Sequence, residues 1–131
     1  MRRKKILVID DDANLCELLM YLFAREGAQV YTASSGPEGL RQFCACQPDL
    51  VILDIMMPKV DGWQTCTDLL QLAKVPIIFL SALRGEAEIR KGLGLGAVDY
   101  ITKPFKPKIL VMRATAAMRG EASVASEEEP G

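Results

Sequence analysis

Histidine is absent from this chain of 131 residues, although the sequence has 17 acidic side chains and 16 lysines and arginines. The absence excludes histidine as a general acid, a general base or a metal ligand. Any chemistry of those kinds must therefore use carboxylates, hydroxyls or amines. The net charge of −1 is also too small to indicate a nucleic-acid partner, so we expect no direct contact between this chain and nucleic acid.

Long apolar runs are absent as well. No run approaches the roughly 20 residues that a membrane-spanning helix needs. The basic segment Arg2–Lys5 is followed by only four apolar residues before three aspartates, which does not fit a signal peptide. We read that basic segment as a solvated lead-in to a strand rather than a binding tail. The sequence thus predicts a cytoplasmic protein with no membrane partner.

Cysteine is scarce, with four residues scattered through apolar helical patterns. Cys44 and Cys46 would lie about 200° apart around a helix, so they cannot share a metal. We expect Cys16, Cys44, Cys46 and Cys66 to be buried free thiols of a protein in a reducing compartment.

What the sequence does contain is an alternation of apolar strand patterns with amphipathic helical patterns. The predicted strands are Lys5–Asp10, Gln29–Ala33, Asp49–Asp54, Pro76–Ser81 and Val98–Ile101. This alternation predicts an α/β fold, a doubly wound five-stranded parallel sheet with helices on both faces. We assign residues 1–120 to this domain and the small, polar and acidic segment 121–131 to a flexible tail or linker stub.

The helices follow from apolar spacing and from capping residues. The first carries one apolar face and ends at Gly27, and Ser35 and Glu38 form a capping box that opens the second. The inner face of the first helix is predicted to comprise Leu15, Leu18, Leu19, Leu22 and Phe23. The remaining helices are predicted at Trp63–Leu72, Glu86–Leu93 and Pro107–Arg119. Gly92, Gly94 and Gly96 are read as a marginal helix end rather than a phosphate loop.

Acidic residues follow two of the buried strands. Asp10, Asp11 and Asp12 end the first strand, and Asp54 ends the third. In an open parallel sheet, ligands bind outside the carboxyl ends of the strands. Two unit charges about 4 Å apart repel by roughly 4 kcal/mol at an effective dielectric constant of about 20. A cluster of this kind indicates a bound cation or a reactive site.

A hydroxyl and an ammonium join the carboxylates at the same edge. Ser81 ends the fourth strand, and Lys103 lies two residues beyond the fifth. Oxygen ligands without histidine or cysteine indicate Mg²⁺ or Mn²⁺. A hydroxyl and a lysine opposite the metal are the donors that a transferring phosphoryl group requires. A carboxylate that attacks phosphorus would form an acyl phosphate.

At four places the chain resembles the receiver domain of two-component response regulators. The segments are Ile9–Asp11, Leu53–Pro58 with Asp61–Gly62, Leu80–Ala82, and Tyr100–Phe105. The resemblance covers about residues 4–119 and implies a flavodoxin-like sheet in the strand order 2-1-3-4-5. Asp99–Phe105 and Arg113 resemble most closely the branch that carries a winged-helix DNA-binding effector. The implied protein is a signalling switch rather than an enzyme, with transcription as its output.

The resemblance also implies a role for each residue of the site. Asp54 would accept the phosphoryl group from a sensor histidine kinase, and Lys103 would pair with Asp54. Asp11 would bind Mg²⁺ directly, Asp10 would act through a metal-bound water, and the backbone carbonyl of Met56 would complete the protein ligands. Asp12 is favoured as a helix N-cap instead of a metal ligand.

Two further residues would convert phosphorylation into a surface change. Ser81 would turn inward to hydrogen-bond the phosphoryl group, and Tyr100 would move from an exposed to a buried position as it does so. The output face would be the fourth helix, fifth strand and fifth helix. The resemblance also implies a cis peptide bond between Lys103 and Pro104.

The same face is a candidate for a symmetric homodimer. Asp99 and Arg113 match a cross-subunit ion pair of the winged-helix branch, whereas Ile89 and Ile109 replace a second pair. With Leu93 and Val111 alongside, the face would be unusually apolar. The alternative is that Ile109 packs into the core of its own chain.

Met56 and Leu83 lie two residues after Asp54 and Ser81. In the family these positions tune the access of water to the acyl phosphate. Two apolar side chains there would hinder the attacking water, and we expect a long-lived phosphoryl group.

Three other readings remain at this point. A haloacid-dehalogenase-type phosphatase would use Asp10 with Ser81 and Lys103, but no aspartate follows Lys103, and Asp54 would have no role. A flavodoxin-like flavin carrier would place three aspartates against a phosphate. A degenerate receiver usually lacks a key residue, and here Asp10, Asp11, Asp54, Ser81 and Lys103 are all present.

Overall fold

The structure is a computed structural model that describes residues 1–121. Five strands alternate strictly with five helices. The strands are β1 (Lys5–Ile9), β2 (Gln29–Ala33), β3 (Leu50–Leu53), β4 (Ile77–Ser81) and β5 (Asp99–Thr102). The helices are α1 (Ala13–Ala24), α2 (Gly36–Cys46), α3 (Gly62–Leu72), α4 (Glu86–Gly94) and α5 (Pro107–Met118). The predicted tail, residues 121–131, lies outside the described residues except for Glu121.

The strands form one parallel sheet in the order β2-β1-β3-β4-β5. This confirms the predicted fold class and strand order. The order reverses between β1 and β3, so the crevice at their carboxyl ends is the expected place for a ligand. β5 ends at Thr102, one residue later than predicted, and Lys103 follows it directly instead of lying two residues beyond. The predicted ends of α3, α4 and α5 differ from the structure by one residue at most, whereas α1 ends at Ala24, three residues before the predicted stop at Gly27.

The sheet separates two apolar cores, which is why its central strands are apolar throughout. Successive residues of β3 point to opposite faces. Leu50 and Ile52 belong to the core beneath α1 and α5, whereas Val51 and Leu53 belong to the core beneath α2, α3 and α4. Within α1, Leu18 is exposed although its spacing predicted the inner face.

Short polar side chains begin three of the helices. The Asp12 carboxylate accepts hydrogen bonds from the backbone N–H groups of Asn14 and Leu15, as predicted for the N-cap of α1. The Ser35 hydroxyl accepts from the N–H of Glu38, at 3.3 Å. The Glu38 carboxylate accepts from the N–H of Ser34 rather than that of Ser35, so the predicted capping box is shifted by one residue on that side.

The cysteines are all free, but they are not all buried. Cys16, Cys46 and Cys66 are buried, as predicted. Cys44 is exposed because Phe43, its neighbour on α2, takes the inward position, so the prediction was wrong for this residue.

The glycine run lies at the carboxyl end of α4. Gly92 and Gly94 lie inside α4, and Gly96 has a φ of +115° just beyond it. This confirms that the run is a helix end. None of the helices within residues 1–121 combines the length and the apolar character needed to cross a bilayer.

Candidate functional site

Three carboxylates meet at the carboxyl edge of the sheet. Asp10 follows β1 and Asp54 follows β3, and the two strands are hydrogen-bonded neighbours. Asp10, Asp11 and Asp54 each present a carboxylate oxygen, and these atoms lie within 4.8 Å of one another. Asp10 and Asp54 are only 3% and 6% exposed, whereas Asp11 faces solvent. The sequence prediction that these acids converge is therefore confirmed.

Backbone hydrogen bonds orient the two buried carboxylates. Oδ1 of Asp10 accepts from the N–H of Asp12 at 2.9 Å. Oδ1 of Asp54 accepts from the N–H of Ile55 at 2.7 Å. In each carboxylate the second oxygen, Oδ2, faces the ammonium of Lys103. The backbone hydrogen bonds to Oδ1 thus leave Oδ2 of each acid facing the ammonium of Lys103.

A close approach of α3 fixes the backbone of Asp54. A Cβ added to Gly62, the first residue of α3, would collide with the carbonyl oxygen of Asp54. Asp61 begins the same helix by accepting a hydrogen bond from the N–H of Gln64 at 3.0 Å. Asp61 and Gly62 do not contact a ligand themselves. They allow α3 to begin in direct contact with the backbone of Asp54.

Lys103 lies between the two buried acids. Its Nζ is 3.0 Å from Oδ2 of Asp10 and 3.5 Å from Oδ2 of Asp54. The sequence analysis predicted Asp54 as the partner of Lys103, whereas the structure places Asp10 closer to its ammonium. The bond between Lys103 and Pro104 is cis, as predicted, and the N–H of Lys103 donates to the carbonyl of Ser81 at 2.8 Å.

Burial and charge shift two pKa values at this site. Burial raises the pKa of Asp10, although the Asp12 N–H and Lys103 oppose that effect. Burial alone would lower the pKa of Lys103, but the hydrogen bond and charge of Asp10, followed by those of Asp54, leave it raised. Lys103 is therefore protonated at neutral pH. Its single positive charge does not balance three carboxylates.

The donor set fits a small, hard divalent cation. It consists of carboxylate oxygens, two of them buried, with excess negative charge. This cluster contains neither a histidine nor a cysteine. Met56, two residues after Asp54, is 59% exposed. Such a site can hold Mg²⁺ or Mn²⁺.

Ser81 and Tyr100 both contact the backbone of Leu83. Ser81 is fully buried at the end of β4, and its Oγ accepts from the N–H of Leu83 at 3.3 Å. Tyr100, on β5, is 5% exposed and donates its hydroxyl to the Leu83 carbonyl at 2.7 Å. Burial raises the pKa of the Tyr100 phenol, and the nearby Ser81 hydroxyl opposes that shift. Tyr100 thus occupies the inward one of its two predicted positions.

Aromatic rings from three elements form a row behind the site, which the sequence analysis missed. The ring centroids of Trp63 and Phe79 are 5.3 Å apart, and those of Phe79 and Tyr100 are 5.9 Å apart. Nζ of Lys91 lies 4.6 Å from the centroid of Trp63. A Cβ on Gly92 would approach Phe79 to 2.9 Å and Tyr100 to 3.1 Å. No sequence signal linked these residues, because they are far apart along the chain.

The apolar residues predicted for a dimer face differ in how exposed they are. Leu93 and Ile109 are exposed, so Ile109 does not pack fully into its own core, whereas Ile89 and Val111 are partly buried. Asp99 and Arg113 form a bidentate pair within one chain, with Nε to Oδ2 at 2.8 Å and an Nη atom to Oδ1 at 2.6 Å. Pairing of Asp99 with Arg113 across two subunits stays a prediction.

Residues 6–115 match the family described as the response regulator receiver domain. This match covers most of the chain. The chain belongs to that family.

Two curated relatives and one solved structure agree with this assignment. A probable transcriptional regulator, ycf27, of Guillardia theta is 45% identical over 89% of this chain and 46% of its own length. The alkaline phosphatase synthesis transcriptional regulatory protein PhoP of Bacillus subtilis is 42% identical over 96% of this chain and 53% of its own. The BeF3-activated receiver domain of Klebsiella pneumoniae RstA has a TM-score of 0.84 and 31% identity, covering 88% and 98% of the two chains.

The chain is a receiver domain of a response regulator, and this assignment does not support the reading as a haloacid-dehalogenase-type phosphatase. The resemblance to regulators of transcription is borne out by the names of the relatives. The chain spans about half the length of the curated relatives it matches.

Proposed function

We propose that this receiver domain accepts a phosphoryl group on Asp54 from a sensor histidine kinase. The observation that carries the proposal is the arrangement of Asp10, Asp11 and Asp54 within 4.8 Å, with Lys103 between the two buried acids. Oδ2 of Asp54 would be the attacking atom, because it faces the Lys103 ammonium that can pair with the incoming phosphoryl group, whereas Oδ1 accepts from the N–H of Ile55. It forms a bond to phosphorus as the bond to the donor nitrogen breaks, and the electrons of that bond return to the donor.

Mg²⁺ fits the oxygen donors of this site, and Mn²⁺ would fit the same set. Asp11 and Asp54 would bind the ion directly, the carbonyl of Met56 would be a further ligand, and Asp10 would act through a bound water. When bound, the ion supplies positive charge for the phosphoryl oxygens. Asp10 is restrained by Asp12 and Lys103, which suits a residue that acts through water.

Lys103 and Ser81 provide the donors of the chain itself. The raised pKa of Lys103 keeps its ammonium charged, so it can pair with a phosphoryl oxygen once Asp54 is modified. The Ser81 oxygen already accepts from the Leu83 N–H, which leaves its own proton free to donate to the same group. Phosphorylation adds a charge of roughly −1.5 to −2, and these two donors would move towards it.

Phosphorylation of Asp54 would change the surface formed by α4, β5 and α5, and this change is the output. Tyr100 is the switch, because its inward position is linked to Ser81 through Leu83. An effector domain with a winged-helix fold would read this face and control transcription. The relatives are named as transcriptional regulators, which supports this output. The chain would catalyse only its own phosphorylation and dephosphorylation, so we class it as a switch and not an enzyme.

We further infer a symmetric homodimer through the same face. Leu93 and Ile109 are exposed apolar residues on α4 and α5, and they would form its centre. In that dimer, Asp99 and Arg113 would pair across the subunits in place of the pair that they form within the single chain. Sedimentation with and without the phosphoryl mimic BeF3⁻ tests this inference. We expect a shift towards dimer with the mimic, and a monomer at high concentration in both conditions would contradict it.

Domain limits and location complete the proposal. The domain would comprise residues 1–120, and the acidic segment 121–131 would be a linker or tail. A histidine kinase as donor and free buried thiols support a cytoplasmic location.

The apolar residues Met56 and Leu83 support a long-lived phosphoryl group. Leu83 has no hydrogen-bonding atom in its side chain, and Met56 has only a weakly accepting sulfur, so neither is suited to orient an attacking water. We expect the phosphorylated chain to persist for minutes or longer. Following its decay by phosphate-affinity electrophoresis tests this, and loss within seconds would contradict it.

The direct test of phosphorylation is a mass measurement. The chain is incubated with Mg²⁺ and a small phosphodonor such as acetyl phosphate. We expect a gain of one phosphoryl group in the wild type and in Asp68→Asn, a control on α3, but none in Asp54→Asn. An equal gain in Asp54→Asn would refute the proposal.

A further inference from the structure

The thiol of Cys16 contacts the backbone of the acidic site, although the proposed phosphoryl transfer does not use it. Cys16 lies near the start of α1 and is buried. Its Sγ donates a hydrogen bond to the carbonyl oxygen of Asp10, and the two atoms are 3.4 Å apart. Burial raises the pKa of this thiol to about 11, so it keeps its proton at neutral pH. Helix α1 therefore supplies a donor to the strand end that carries the acids.

The carbonyl of Asp10 lies just beyond the end of the sheet. β1 ends at Ile9, whose carbonyl accepts from the N–H of Asp54 at 3.0 Å. The N–H of Asp10 donates to the carbonyl of Ala33 on β2, also at 3.0 Å. The carbonyl of Asp10 instead accepts from the thiol on α1. Because a buried carbonyl without a partner is costly, this bond helps to fix the orientation of the peptide group that follows Asp10.

That peptide group joins the two acids that are proposed to act on the metal. Its carbonyl belongs to Asp10 and its nitrogen to Asp11, and the group is planar, so its orientation sets where the side chain of Asp11 begins. Asp11 faces solvent, whereas Asp10 is buried. Cys16 borders the space in front of both acids, since all three residues line one cavity of about 360 Å³. Mg²⁺ requires near-ideal octahedral geometry, so a small displacement of one ligand weakens its binding.

We propose that Cys16 is a positioning residue for the metal ligand Asp11. Through its hydrogen bond to the carbonyl of Asp10, the thiol fixes the peptide group that precedes Asp11 and holds the Asp11 carboxylate where it binds a divalent cation. This inference rests on the proposed metal site. Cys16 acts through the backbone and does not bind the ion itself, because a thiol is a poor ligand for Mg²⁺ or Mn²⁺.

Direct titration with Mn²⁺ tests the inference without any phosphoryl transfer. Free Mn²⁺ is measured by electron paramagnetic resonance in the presence of the wild type, Cys16→Ala, Cys16→Val or Cys16→Ser. Alanine and valine remove the donor, and valine nearly keeps the side-chain volume, whereas serine restores a donor. We expect the dissociation constant to rise about two- to fivefold in the alanine and valine variants, the lower part of the range for one hydrogen bond, because a thiol is a weak donor. The serine variant should stay within about twofold of the wild type.

Cys66→Ala is the matched control, because Cys66 is a buried thiol on α3 that belongs to the core beneath α2, α3 and α4. It should leave the dissociation constant unchanged. Unchanged binding in the alanine and valine variants of Cys16 would overturn the inference, as would an equal loss in the control or a serine variant as weak as the alanine variant. If Cys16→Ala folds poorly, the valine and serine variants decide. A wild type that binds no Mn²⁺ would refute the proposed metal site itself, whereas the other results refute only the role of Cys16.

Discussion

Nζ of Lys103 is closer to Asp10 than to Asp54, at 3.0 Å compared with 3.5 Å. The ammonium therefore neutralises mainly the acid that is expected to act on the metal through water. Lys103 and a divalent cation compete for the same two carboxylates.

Replacement of Lys103 by glutamine should tighten Mg²⁺ binding. The substitution removes a positive charge from a site that would then hold three carboxylates without an ammonium. We expect the dissociation constant to fall roughly three- to tenfold, since a nearby unit charge contributes on the order of 1 kcal/mol at high effective dielectric. Fluorescence of Trp63, the single tryptophan, can report the titration. Lys106→Gln is the control, and weaker binding in Lys103→Gln would contradict the prediction.

The two glycines inside α4 should respond in opposite ways to alanine. Gly92 has Phe79 and Tyr100 within 3.1 Å of an added Cβ, whereas Gly94 has no atom within 4 Å. Gly92→Ala should lower the free energy of unfolding by about 1–3 kcal/mol through overpacking. Gly94→Ala should raise it by about 0.5–1 kcal/mol, because alanine favours the helix. Urea denaturation of both variants checks this prediction. Equal effects would show that Gly92 does not pack closely against Phe79 and Tyr100.

The ion pair of Arg113 should matter for stability within the single chain. Arg113→Gln removes two charge-assisted hydrogen bonds to the buried carboxylate of Asp99, at 2.8 Å and 2.6 Å. We expect a loss of about 2–3 kcal/mol in the free energy of unfolding. Arg119→Gln is the control, since its pair with Glu121 is exposed and 3.9 Å long. If the Arg113 variant is as stable as the control at low protein concentration, the pair does not form within one chain.

Stability should fall at alkaline pH because of Cys66. Burial raises the pKa of this thiol from its ordinary value of 9.0 to about 11. Between these values the unfolded chain has lost the proton while the folded chain retains it, so the free energy of unfolding decreases as pH rises. The slope is about 1.4 kcal/mol per pH unit for one group. Urea denaturation across this range should show a shallower decline in Cys66→Ala than in Cys44→Ala, and parallel declines would contradict the prediction.

The sequence predicts where the strands end but not how the side chains pair. The apolar runs that end in Asp10 and Asp54 predicted two strand ends and hence the meeting of the acids, because parallel strands share an edge. The preference of Lys103 for Asp10 and the pairing of Asp99 with Arg113 within one chain depend on side-chain positions in space. Periodicity does not contain that information. Cys44 shows the same limit, since neighbouring Phe43 took the inward position on α2.

The location of the phosphoryl group tests the central claim most directly. The chain is phosphorylated with acetyl phosphate and Mg²⁺, the acyl phosphate is reduced with borohydride, and the modified peptide is sequenced by mass spectrometry. Reduction converts a phosphorylated aspartate to homoserine, which marks its position. We predict homoserine at position 54 and at no other aspartate. Homoserine in place of Asp10, the acid that a phosphatase of the haloacid-dehalogenase type would have used, would contradict the account.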